Sequence, residues 1–244
     1  MNTITVTDSM KTDFANPDQA PQTDANIFGP VHKSIRRALA DVLGQLGAAD
    51  FEDAESLAQL GREVEATLTY CEQHVDHEER VVRPACAGRL VPEVFDTGHP
   101  EHLRMIAELR AQLAVLKAAS AGQRSDLGHT LYLHFSVFAA DCLHHMAEEE
   151  RVLLPHMRRT LGDEALFAIR ARILASLSPA EQAQSARLML GAMNPGERRA
   201  LTLDIAAKAP RELAMALLES ARPMLSAAAF NDLVQLVDSA PVAH

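Results

Sequence analysis

One run of side chains is written twice in this chain: Cys71-x-x-His74-x-x-x-Glu78-Glu79-Arg80-Val81-x-x-Pro84 returns as Cys142-x-x-His145-x-x-x-Glu149-Glu150-Arg151-Val152-x-x-Pro155. On a helix, positions i and i+4 stand one above the other on the same face. His74 with Glu78, and His145 with Glu149, therefore each offer a nitrogen and an oxygen to one point. Two such pairs can hold two metal ions.

A second echo lies upstream, where His32 precedes His74 by 42 residues and His102 precedes His145 by 43. His32-x-x-Ile35-x-x-x-Leu39 and His102-x-x-x-Ile106-x-x-Leu109 each set a lone histidine at the edge of an apolar helical stripe. The repeating unit is thus a helix pair that supplies one lone histidine and one histidine/glutamate pair.

The rest of the chain agrees with helices. Aromatic residues make up 4% of the 244 residues, Trp is absent, and Ala and Leu dominate, which suits packed helices better than sheets. The formal charge of −10, with no clustered basic face, argues against nucleic acid as a partner. No apolar run is long enough for a membrane span, and the acidic N-terminus is the opposite of a signal peptide, so a cytoplasmic location is expected. Cys71, Cys86 and Cys142 form no disulfide framework and read as small buried hydrophobes. For Cys71 and Cys142, each one turn before a histidine of the motif, a redox or supporting role is the alternative.

The organisation expected is a disordered leader over 1–26, a four-helix bundle over 27–162 and a small helical region over 163–244. The first helix begins near Pro30. Asp50 is a candidate cap for the second, which stops at Pro84. Thr97 or the Pro100 turn opens the third, and Pro155 kinks or ends the fourth. Short connections predict an up-down-up-down bundle whose core can take ligands from every helix. Past Gly162, Ser178-Pro179-Ala180-Glu181, Asn194-Pro195-Gly196-Glu197 and Ala209-Pro210-Arg211-Glu212 read as successive helix starts.

Four histidines and two glutamates in this two-fold pattern suit a pair of first-row metals with both carboxylates bridging. Iron leads, because no thiolate set points to zinc or an iron-sulfur cluster. The ferritin-like plan needs Glu-x-x-His, and no histidine here has a glutamate three residues before it.

His32, His74 with Glu78, His102, and His145 with Glu149 resemble the His, HxxxE, His, HxxxE series of the hemerythrin-like (HHE cation-binding) family, over about residues 28 to 161. The resemblance implies a non-haem di-iron four-helix bundle. In it His32 and His74 serve one iron, His102 and His145 the other, and Glu78 and Glu149 bridge. Oxygen-carrying members have HxxxH on the third helix and HxxxxD on the fourth, whereas here Ile106 stands four residues after His102 and the fourth-helix carboxylate is Glu149 rather than an Asp one place later. That departure weakens the expectation of reversible oxygen transport. It leaves room for water, peroxide, nitric oxide or a further protein ligand, for which His77, Glu79, His99, Glu148 and His144 are candidates.

Aligning Glu-Glu-Arg-Val in both halves favours His145 over the neighbouring His144/Glu148 pair. Tyr70 and Asp141, each four residues before a ligand histidine, are placed to hydrogen-bond an imidazole or a bound oxygen species. Phe135 and Phe138 can keep one side dry. Glu79, Glu150, Arg80 and Arg151 read as solvated faces, and His99, His129, His134 and His156 as surface or satisfied core histidines. The functions expected are binding of oxygen, nitric oxide or peroxide for sensing, storage or detoxification, with weak peroxidase or nitric-oxide chemistry at most. The alternative is an iron-sensing or iron-buffering module. Residues 163–240 are expected to serve a homodimer or a protein partner, or to form a helical lid on the bundle. Neither a phosphate-cradling loop, nor a dinucleotide fingerprint, nor a nucleophile beside a base occurs.

Overall fold

The computed structural model describes residues 25–89 and 98–240, and among them every regular element is helical, as the composition predicts. Residues 1–24 of the expected leader, and Thr97, lie outside the described residues. No described helix is long and apolar enough to cross a membrane.

The first helix, α1 (Gly29–Ala48), starts where Asn26 Oδ1 accepts the amides of Phe28 and Gly29 at 3.1 and 2.8 Å. The second, α2 (Ala54–His77), is capped by Asp53, whose carboxylate accepts the Glu55 and Ser56 amides. The expectation for Asp50 is thereby corrected, since Asp50 instead takes the Glu52 amide in the preceding turn.

The expected end of the second helix at Pro84 does not occur, and at Pro155 the fourth helix continues rather than ends. Each follows a five-residue π-helical turn, Glu78–Val82 and Glu149–Leu153, in which the Arg83 amide reaches back to the Glu78 carbonyl and the Leu154 amide to that of Glu149. A proline has no amide proton and its ring collides with the carbonyl four residues back. A widened turn ahead of it relieves that collision, and the helices run on as α3 (Arg83–Cys86) and α6 (Leu154–Leu161). Such π turns gather at functional sites, and these two coincide with the duplicated motif.

With α4 (His99–Ala118) and α5 (Arg124–Glu148), helices α1 and α2 form a closed ring of four: α1 and α4 each pack against both α2 and α5. Ile35, Leu39, Leu68, Ile106, Phe135 and Phe138 belong to the main apolar core inside the ring. Burying side chains of this size contributes about 1.5–3 kcal/mol each. A second cluster, with Phe28, Val82, Cys86, Leu153 and Met157, lies past the π turns and takes in Leu166 and Ile169 of α7 (Asp163–Ser176). The histidine and glutamate pairs fall between the two clusters. One close approach in the ring is testable: a Cβ at Gly128 would stand 2.3 Å from the Phe51 ring. Gly128→Ala should lower stability by about 1–3 kcal/mol through overpacking, read as a shift of the urea midpoint.

Beyond α7, Ser178/Glu181 and Asn194/Glu197 form reciprocal capping boxes for α8 (Pro179–Ala192) and α9 (Pro195–Lys208). Helix α10 (Arg211–Ala221) begins after Pro210 without a side-chain cap, and α11 (Ala227–Ser239) is capped by Ser226. These helices share a core of their own around Leu190, Leu218, Phe230 and Leu233. Helix α8 lies along α1, where Arg37 donates to the Gly191 carbonyl and Lys33 pairs with Glu197.

Candidate metal centre

Six side chains meet at the level of the π turns and form two overlapping groups, each with its donor atoms within 4.8 Å of one another: His32, His74, Glu78, Glu149, and Glu78, His99, His145, Glu149. The carboxylates divide between them. Glu78 turns Oε1 to His74 Nε2 at 3.2 Å and Oε2 to His99 Nε2 at 3.1 Å. Glu149 turns Oε1 to His145 Nε2 at 3.2 Å and Oε2 to His32 Nε2 at 3.4 Å. Each group therefore has two imidazoles and one oxygen from each of two shared glutamates.

The distances fit a cation between the donors. Bonds of about 2.1 Å put neighbouring donors about 3.0 Å apart at right angles and about 3.4 Å apart in a tetrahedron. The imidazole pairs His32/His74 and His99/His145 face each other with Nε2 atoms 3.1 Å apart. Both oxygens of Glu78 and Oε2 of Glu149 are buried with no hydrogen-bond donor on them. A buried carboxylate without donors is costly, and a cation at each focus removes that cost.

The outer nitrogens fix the direction of the inner ones. His32 Nδ1 lies 2.8 Å from Glu150 Oε1, which also receives Arg36 at 2.6 Å. His99 Nδ1 lies 2.6 Å from Glu79 Oε1, and Arg83 holds the other Glu79 oxygen at 2.8 Å. An ionised carboxylate only accepts, so each Nδ1 carries the proton and, in the neutral ring, Nε2 presents its lone pair inward. The reading of Glu79 and Glu150 as solvated faces is corrected: each reaches a histidine of the other half on a neighbouring helix, Glu150 that of His32 on α1 and Glu79 that of His99 on α4. Partners of this kind typically contribute 10–100-fold to metal affinity. Glu150→Ala and Glu79→Ala should each weaken binding by about that factor, measured by competition with a chelator.

Protonation follows the same pattern. Burial holds His74 down at about 3 against the pull of Glu78, so its lone pair is free at neutral pH. Burial also opposes charge on His32 and His99, but their glutamate partners outweigh it and both are raised. Glu78 is held well below the usual carboxylate range by His74, His32 and His99 despite burial, whereas burial and the charge of Glu78 push Glu149 up. Two buried carboxylates thus compete for charge that a pair of cations would satisfy.

The expected ligand His102 lies outside both groups. It is buried one turn deeper on α4, with Nε2 2.9 Å from Asp141 Oδ2 and its ring edge-on to His145 at 4.9 Å. Asp141 accordingly faces His102 rather than a member of the groups. His99 occupies the place expected of His102. His144 and Glu148 are exposed at 70% and 64% and pair with each other on the surface, and His77 is half-buried outside the centre. Tyr70 is buried with its hydroxyl on Ser34 Oγ at 2.9 Å, not on an imidazole. Phe135 and Phe138 are fully buried in the core next to the centre.

The family model described as the hemerythrin HHE cation binding domain matches residues 24–157. No curated protein and no solved structure matches the chain.

Proposed function

The chain belongs to the hemerythrin HHE cation-binding family, and on that premise we propose that it holds two iron ions, one in each histidine/glutamate group, and admits oxygen, nitric oxide or peroxide for sensing, storage or detoxification. The observation that carries this reading is the sharing of Glu78 and Glu149, one oxygen to each group. The family binds metal ions, typically iron, and two imidazoles with two carboxylate oxygens are a borderline-to-hard set that suits it. Iron, when bound, supplies a reducible cation with coordination positions left open by a four-donor protein set.

The chain's own groups would do the rest. Glu79 and Glu150 hold the imidazoles of His99 and His32 in orientation. A narrow apolar pocket with room for a water-sized molecule reaches His74 and His145 between Ile35, Ile106, Phe138 and Met146, a size and lining suited to a diatomic or a peroxide. A cytoplasmic setting fits the odd number of cysteines.

Metal analysis of the purified protein with its visible spectrum tests the first half of the proposal, and about two irons per chain is the expected result. Stopped-flow mixing of the reduced, iron-loaded protein with oxygen, nitric oxide or hydrogen peroxide tests the second. A new absorption that persists supports binding, a fast irreversible change supports turnover, and silence with all three overturns both.

A second reading, iron sensing, is favoured by one feature. Helix α8 lies against α1, which carries His32, and Arg37 of α1 donates to the Gly191 carbonyl of α8. On this reading metal occupancy orders the ring and the C-terminal helices report it to a protein partner or a second copy of the chain. Equal helicity and heat stability with and without metal would sink it.

A further inference from the structure

Two small pockets reach the metal centre, from different sides and with different linings. The one described above comes from the main core and is apolar where it meets His74 and His145. The other comes from the second core cluster, and its lining includes Phe28, Glu78, Glu79, Arg83, His99 and Glu149. Its charged groups run from surface to interior: Glu79 and Arg83 pair with side chains 36% and 43% exposed, and the shared carboxylates Glu78 and Glu149 are buried behind them. The two groups of donors stand differently to this pocket. His99 of one group lines it, whereas among the described residues neither His32 nor His74 of the other does. His32 is fully buried instead, with the Phe28 ring stacked on it at 5.2 Å between centroids and Arg36 on its Glu150 partner.

A divalent cation sheds its hydration shell only where other donors replace it, because an unpaired charge in an apolar lining is far costlier than in water. The first pocket has no carboxylate in its described lining, whereas the second offers carboxylate oxygens at its mouth and again at its floor. An acid-lined cleft also gathers cations and speeds their arrival. Resting on the reading that each group holds an ion, we propose that metal enters and leaves by way of Glu79 and the shared carboxylates, with the Arg83 guanidinium as the opposing charge at the mouth that slows passage in both directions. The two ions then exchange in order. The ion of His99 and His145 stands beside the path and leaves first, and that of His32 and His74 lies beyond the shared carboxylates and leaves after it. Metal and small neutral ligand accordingly use separate routes, so the loaded protein can admit oxygen, nitric oxide or peroxide through the apolar pocket while Arg83 retains the ions.

The test uses the full-length protein loaded with zinc, which has no redox chemistry of its own, and mixed with a large excess of a chromogenic chelator. Zinc should leave in two phases of equal size, and His99→Ala should show the slow phase alone. Arg83→Ala should speed the fast phase about 10-fold, while equilibrium competition finds an affinity close to that of the wild type, since a charge on the path sets the barrier without setting the end states. Arg36→Ala, the counterpart on the His32 side, should leave the fast phase where it was. Both arginines are partly exposed, at 43% and 30%, so these variants decide the matter even if His99→Ala fails to fold. With two zinc ions bound, release in a single phase, a fast phase that survives His99→Ala, or a fast phase that Arg83→Ala leaves unmoved or moves only in proportion to lost affinity overturns the proposal alone. A protein that takes up no metal overturns the reading beneath it as well.

Discussion

Replacing Glu78 or Glu149 with alanine is expected to empty both metal positions at once. Each carboxylate belongs to both groups of four donors, so a single substitution removes one of the anionic donors from each focus and leaves the remaining glutamate as the only negative charge between two cations. Groups one bond further out already contribute about 10–100-fold in affinity; loss of a shared donor should exceed about 100-fold at each position. Elemental analysis after dialysis should find metal near background in Glu78→Ala and Glu149→Ala, and retention of a full complement would rule out the shared-carboxylate geometry. The metal-free protein should respond with the opposite sign. Burial and Glu78 raise the Glu149 pKa, so this group stabilises the fold most below its unfolded value and weakens it as pH rises through the folded one. Glu149→Gln removes that penalty. Near neutral pH the metal-free variant should therefore be more stable than the metal-free parent, by about 1–3 kcal/mol, while the parent gains far more when metal is added. A merely structural glutamate would not reverse sign with metal.

Helix content and the pairing of His74 with Glu78 and His145 with Glu149 were legible because they rest on periodicity, and a 3.6-residue period is written directly into the order of residues. The two capping boxes of the C-terminal helices were legible for the same reason, since Ser178/Glu181 and Asn194/Glu197 act within one turn. What stayed hidden depends on contacts between neighbouring helices of the ring. Glu79 and Glu150 sit one place after the shared glutamates, 100° round a regular helix, and nothing local indicates that Glu150 reaches His32 or that Glu79 reaches His99. The π turns did leave a trace, a proline six residues after each shared glutamate in a stretch with no other helix breaker. A proline is usually a terminus, however, and its accommodation by a widened turn is decided by whether both flanking segments have apolar faces to bury. Here they do: Cys71 and Cys142 ahead of the turns belong to one core, and Cys86 and Met157 beyond them to the other.

The sharpest separation of sequence pattern from three-dimensional placement is on α4, where His99→Ala and His102→Ala should give different metal contents. Pattern favours His102: Pro100-Glu101-His102 echoes Pro30-Val31-His32, and its distance to His145 nearly repeats that of His32 to His74. The structure brings His99 to the centre instead, with Nε2 3.1 Å from both His145 Nε2 and Glu78 Oε2 and its far nitrogen on Glu79. His102, three residues on, shares that side of α4 but stands level with Ile106 and Phe138, and its Nε2 faces Asp141. His99→Ala should therefore lose the ion of its own group and keep that of His32 and His74, bringing metal from about two toward about one per chain. His102→Ala should keep both ions and alter the ligand pocket alone, visible as a changed rate with peroxide or nitric oxide. Proton competition gives a second readout, because loss of His99 also frees Glu79 from its imidazole partner and should leave the remaining ion's release on acidification unchanged. The reverse outcome, metal lost with His102→Ala and kept with His99→Ala, would mean that α4 is turned by close to one helical turn from the arrangement described, with the spacing of the repeat as the better guide.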